Sequence, residues 1–168
     1  VGCALTTLGI SPGSVGKGPP DSHVALLSIS LCFGLTIFVL AHCFGHISGA
    51  HINPAVTVAL VTAQLVTPVR AVLYIVAQCL GSIFASGVLM AILALTPDTM
   101  GGYNALSGPD DNKIARGFIT ELVLTFLLAF TVFATIDPTR EVTGLGPMAI
   151  GMAVGVAHLI AVPITGCG

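Results

Sequence analysis

Charge is what this sequence has least of. Only 7% of its 168 residues are Asp, Glu, Lys or Arg, while 55% are hydrophobic and the mean hydropathy is +1.03. Soluble surfaces need roughly 25% charged residues, so an ordinary globular domain is excluded and the solvent of the folded chain is lipid. Five Lys and Arg against seven Asp and Glu leave a net charge of -2 and no basic face to neutralise phosphates, so nucleic acid is not expected as a partner. The five cysteines, Cys3, Cys32, Cys43, Cys79 and Cys167, contain no CxxC pair. A disulfide framework and a zinc site are therefore not indicated, and the cysteines read as buried thiols in apolar runs. No basic segment precedes a short apolar stretch as in a signal peptide, and the chain opens without Met, which reads as a fragment.

Long apolar runs are what the sequence does have. Val24 to Ala41 carries no charge, Ala71 to Leu95 has Gln78 as its one large polar side chain, and Phe118 to Ile136 has only Glu121. A fourth run, Met148 to Val162, contains His158 between Pro147 and Pro163. Each is expected to be a transmembrane helix. Pro54 to Val66 is apolar but falls well short of the roughly 20 residues a crossing needs, so it reads as a half-helix that enters the bilayer without leaving it opposite. Ser11 to Asp21, Thr96 to Asn112 and Asp137 to Gly146 are rich in turn residues and read as loops. Nothing resembles a linker to a second domain.

Ile47-Ser48-Gly49-Ala50-His51 recurs in kind as Ile164-Thr165-Gly166-Cys167-Gly168, each after a hydrophobic span. Three spans separate the copies. An odd number of crossings inverts the second relative to the first, the geometry of an inverted repeat. After the first copy come Ile52, then Asn53-Pro54-Ala55, which suits a helix start: Asn as N-cap, Pro at a position whose amide the helix does not use, Ala to propagate it. A helix N-terminus at membrane depth carries partial positive charge and must face something polar.

The run from Gly45 to Thr57, containing Ser48-Gly49-Ala50-His51-Ile52-Asn53-Pro54-Ala55, resembles the first signature loop of the aquaporin (major intrinsic protein) family, and the likeness extends over nearly the whole chain. The resemblance implies an all-α membrane fold of inverted repeats, six helices and two half-helices. Four helices and one half-helix of that set are expected here, as a single partial channel domain over residues 1–168 without the first helix, the second Asn-Pro-Ala half-helix and the sixth helix. It further implies a passive water channel, usually a homotetramer in a lipid bilayer, with no cofactor, no metal and no enzymatic activity, placed in the plasma membrane more readily than in an internal one.

By the same resemblance Asn53, Pro54 and Ala55 form the pore signature. Phe33, His158 and Cys167 match the narrow constriction, with Cys167 also the position where mercurials block flow. Gly49, Ala50, His51, Gly166, Cys167 and Gly168 would line the pore with carbonyls. Glu121 would hold the signature loop in place, and Gln78 reads as scaffold bonded to a neighbouring helix. His42 and His46 have the i, i+4 spacing of a metal pair but lack a complementary ligand set. Small residues, Ser28, Ser30, Gly81, Ser82, Ala85, Ser86 and Gly87, are expected at close helix contacts. The competing readings are a channel for glycerol-like solutes, which calls for a smaller residue than His158, a non-conducting scaffold or junction protein, and an intramembrane Ser48–His158 protease, which has no evident oxyanion site.

Overall fold

The computed structural model describes residues 21–93, 104–106, 112–139 and 144–167. Its helices in chain order are α1 (Asp21–Ser48), α2 (Pro54–Thr62), α3 (Pro68–Leu93), α4 (Lys113–Ile136) and α5 (Gly146–Thr165). The described residues contain no strand. Four of the helices, α1, α3, α4 and α5, are long and apolar enough to cross a membrane. The shortest of these, α5, has 20 residues and is about 30 Å long, the thickness of a hydrocarbon core. With 9 residues, α2 reaches only about 14 Å.

Helix bounds follow local chemistry more closely than hydropathy. The first span runs beyond Ala41 to Ser48 because His42, Cys43, Gly45 and His46 do not stop a helix when it can present them outward, as it does for His42, Cys43 and His46. The half-helix ends earlier than expected, at Thr62. There Gln64 takes a left-handed conformation (φ 60°), its amide bonds to Val61 O, and the Leu65 amide reaches back to Leu60 O. This is a Schellman stop with Gln where Gly is usual.

Helix α5 is the centre of the bundle, packed against α1 and α4, while α2 rests on α3 and α4. Its buried face includes Gly151, Val154, Ala157, His158, Ala161 and Val162. Glycines set the α1–α5 approach. A Cβ on Gly34 would lie 2.8 Å from Gly151 O, and one on Gly151 would lie 2.5 Å from Gly34 O and 2.7 Å from Phe38 Cβ. Lipid gives no hydrophobic drive for helices to pair, so such close backbone contact supplies the dispersion that holds them. Around this crossing Ala25, Ile29 and Val162 pack at one end and Leu124, Ala157 and Ala161 beside α4.

Two expectations are corrected. Cys32, Cys43 and Cys79 are exposed, not buried, because they lie on outward helix faces together with Leu31, Phe44 and Leu80. The small residues of α3 make no close contact either: Gly81 and Gly87 have open space where a Cβ would stand, and Ser82, Ala85 and Ser86 are exposed. The close crossing uses Gly34, Gly151 and Gly155 instead. Apolar side chains such as Leu27, Leu35, Ile83, Phe84, Phe126 and Phe130 cover the outer surface, an arrangement stable in lipid and prone to aggregation in water.

Candidate functional site

The two copies of the short repeat adopt the same backbone. Ser48 ends α1 and Thr165 ends α5. The next residues, Gly49 (φ 79°) and Gly166 (φ 84°), are both left-handed, and so are Ala50 (φ 43°) and Cys167 (φ 62°). Each hydroxyl closes the turn on the amide two residues on: Ala50 N donates to Ser48 Oγ at 3.3 Å and Cys167 N to Thr165 Oγ1 at 3.2 Å. Ser48 also donates back into its own helix, to Phe44 O, and the Thr165 hydroxyl oxygen lies 3.2 Å from Ala161 O. Left-handed backbone at a non-glycine costs about 1–2 kcal/mol per residue, and these side-chain bonds help to hold it.

After the first turn Asn53 caps α2. It is extended, and its Oδ1 accepts from Ala55 N at 2.7 Å. No described residue accepts from its Nδ2, so a donor remains for the cavity that Asn53 lines. Pro54 follows in the first turn of α2, where its missing amide costs nothing.

One cavity of about 840 Å³ collects most of the candidate positions. Phe33, Gly49, Ala50, His51, Asn53, Ala55, Glu121, His158 and Cys167 all line it. Gln78, Pro54 and Gly166 are not among its lining residues, and Gly168 lies outside the described residues. The rings of Phe33 and His158 stack with centroids 4.1 Å apart and planes 14° from parallel. His158 is buried, and its Nδ1 lies 2.9 Å from Val154 O. A carbonyl only accepts, so Nδ1 carries the proton and Nε2 is the acceptor end of the neutral ring. Beside this pair, burial first and the Glu121 carboxylate second push the Cys167 thiol up to about 12.

Glu121, on α4, accepts from the Thr165 hydroxyl, which ties it to the second copy of the repeat. Gln78 donates from Nε2 to Thr57 Oγ1 at 3.0 Å, linking α3 to the half-helix. Thr57, wholly buried, is a node that sequence reading missed. Its hydroxyl donates to Asn53 O at 3.2 Å and stands 3.2 Å from His51 Nδ1. With Gln78 occupying one lone pair, the other accepts from His51 when Nδ1 bears the proton. Burial first and Arg70 second hold the His51 pKa below its ordinary 6.5. Tyr74, also unanticipated, stacks obliquely on His51 at 4.7 Å and donates to Ser48 O at 2.5 Å, capping the end of α1. Arg70 donates to the Tyr74 hydroxyl at 3.0 Å.

Ser48 and His158 are thus engaged with their own helices and do not form a nucleophile–base pair. Among the described residues no three of His, Cys, Asp and Glu gather as metal ligands.

Four membrane-length helices, three of which (α1, α4 and α5) line a cavity that a half-helix enters with its N-terminus, define a multi-pass integral membrane protein of the re-entrant, inverted-repeat class. The chain belongs to the Major intrinsic protein family, which it matches over residues 3–168. It is 44% identical to Aquaporin-4 of Dipodomys merriami over 163 residues, covering 96% of this chain and 49% of that protein. It is 45% identical to Aquaporin-4 of Mus musculus over 144 residues, covering 85% of this chain and 44% of that protein. Aquaporin-1 of Bos taurus is 45% identical over 143 residues, covering 84% of this chain and 52% of that protein. The chain spans about half the length of the curated relatives it matches.

Proposed function

We propose that the protein to which this chain belongs is a passive water channel, driven by osmotic gradients and closed to protons and ions. The observation that carries this reading is the stacked Phe33–His158 pair beside Cys167 on a cavity that also holds the Asn53 cap. A planar aromatic wall with a hydrogen-bonding imidazole leaves a narrow polar opening. That suits water and leaves little room for a polyol, whose carbons need a wider apolar slot. The three relatives named above carry aquaporin names, which accords with this reading.

Each residue has a physical task in it. Gly49, Ala50 and His51 line the cavity at a turn with two left-handed residues, and in this reading their carbonyls accept hydrogen bonds from a passing molecule. Asn53 Nδ2 donates to that molecule's oxygen. The positive end of α2 behind it orients the oxygen toward Asn53, so the two hydrogens point away and a continuous donor chain for protons is interrupted. Cations meet the same positive end. Glu121 holds the second turn through Thr165, Gln78 holds the half-helix through Thr57, and Tyr74 holds the first turn through Ser48 O.

The reading includes a homotetramer in the plasma membrane. Helix α3 and the outer face of α1 present apolar side chains that either lipid or neighbouring copies would cover. Stopped-flow osmotic shrinkage of liposomes containing the full-length protein, with glycerol uptake in parallel, tests the function. Fast water efflux without glycerol entry is expected. Water flux equal to that of empty liposomes would overturn it.

A further inference from the structure

Thr165 is held from two sides. Its hydroxyl donates to Glu121 of α4 and accepts the Cys167 amide, and its carbonyl accepts the Ala105 amide at 3.0 Å. Ala105 belongs to a short described stretch, residues 104–106, between α3 and α4 in the chain. The next residue, Leu106, is docked on Gly117. A Cβ placed on Gly117 would overlap Leu106 Cδ2 and would come within 3.5 Å of Thr165 Cγ2. Gly117 is buried although it lies near the start of α4, and one branch of Leu106 fills its notch.

Gly117 and Glu121 are one helical turn apart and therefore share a face of α4. From that face Glu121 fixes the hydroxyl of Thr165, while Gly117 fixes, through Leu106, the strap that bonds its carbonyl. Cys167 is left-handed and bonds through its amide to the same Thr165 hydroxyl, so the position of its thiol follows from how Thr165 is held.

We propose that Leu106 and Gly117 form a latch that positions the Thr165–Cys167 turn, setting how far Cys167 projects into the cavity. They are positioning residues and touch no permeant. The effect on solute selection rests on the water-channel reading; the effect on Cys167 does not.

The substitution Gly117→Ala separates this role from general stability. A helical Gly→Ala change favours the helix, and the atom it displaces is the end of a flexible side chain, so α4 itself is not harmed. The latch, however, is forced open. The readout is the rate of mercaptide formation by a charged organomercurial in the full-length protein with every cysteine other than Cys167 replaced.

Gly117→Ala is expected to raise that rate about two- to tenfold, the size a contact coupling gives, without lowering the melting temperature. Leu106→Ala, on a strap outside the helices, is expected to raise it less. Gly117→Ala with Leu106→Ala is expected to fall back toward the parent rate, because the smaller side chain leaves room for the new methyl. Unchanged rates in both single variants, or a double variant whose effect is the sum of the two, would overturn the latch. Absence of water flux in the parent would overturn the channel reading and leave the mercaptide comparison standing.

Discussion

The imidazole of His158 lies flat on the phenyl ring of Phe33, 4.1 Å between centroids, so each ring fixes the other on the wall of the cavity. Removing the imidazole removes one wall and its hydrogen-bonding edge together. His158→Gly is expected to admit glycerol into proteoliposomes while keeping water flux, because the opening becomes wider and less polar. Glycerol uptake no faster than in the parent would mean that the constriction lies elsewhere.

Cys167 lines the same cavity, and its thiol, pushed up to about 12, stays protonated throughout the neutral range. Mercury inhibition of water flux is expected to vanish in Cys167→Ser. Alkylation, which needs the thiolate, is expected to stay slow at pH 8 and to rise about tenfold per pH unit toward the raised value. An alkylation rate that levels off near pH 9 would show an ordinary, exposed thiol.

His51 gives a stability prediction. Its folded pKa lies below the ordinary 6.5, so the unfolded chain binds the proton first as pH falls. Its contribution is complete above 6.5 and is lost as pH falls from there toward the depressed folded value. The melting temperature in detergent is therefore expected to drop between pH 7 and 5.5, with a shallower slope in His51→Asn. Equal slopes in the two proteins would assign the acid sensitivity to other groups.

How much of this was legible in the sequence depended on whether the signal was local. The start of α2 follows from Asn53 and Pro54 alone, and the match of Ser48-Gly49-Ala50 with Thr165-Gly166-Cys167 anticipates two turns of one backbone shape. The end of α2 was hidden because Gln64, a residue with no special liking for left-handed backbone, takes the place Gly usually signals. The Gly34–Gly151 crossing was hidden for another reason. A glycine in an apolar run marks a close contact only once the partner helix and its rotation are known. Polar links across the bundle, Gln78 to Thr57, Tyr74 to Ser48 and Thr165 to Glu121, join residues 21, 26 and 44 apart, so composition and spacing could name Gln78 and Glu121 but not their partners.

The glycine crossing itself can be tested by size. A Cβ on Gly151 meets Gly34 O at 2.5 Å and Phe38 Cβ at 2.7 Å, and backbone cannot rotate away as a side-chain end can. Gly151→Leu is expected to force α1 from α5, destabilising the protein by about 1–3 kcal/mol or more and disturbing the Phe33–His158 stack. Gly81→Leu, where nothing stands within 4 Å, serves as the control and should leave the melting temperature of the monodisperse protein within a degree or two of the parent, about what a change of ±0.5 kcal/mol gives. Similar melting temperatures for the two variants would refute close glycine packing as the bond between these helices.

Thr57 provides the sharpest test of the half-helix anchor. Thr57→Val keeps the shape but removes the hydroxyl that joins Asn53 O, His51 and Gln78, and it leaves Gln78 Nε2 without its acceptor. Leaving a buried donor unmet costs about 1–3 kcal/mol, whereas Thr57→Ser retains every bond and loses only a methyl. Gln78→Leu is expected to recover part of the Val loss, because both ends of the bond are then apolar; the gain is read as a non-additive term in a double-mutant cycle of melting free energies. Additive losses would show that Gln78 does not act through Thr57. If Thr57→Ser fell as far as Thr57→Val, packing of the methyl, and not the hydroxyl bridge, would be what anchors α2.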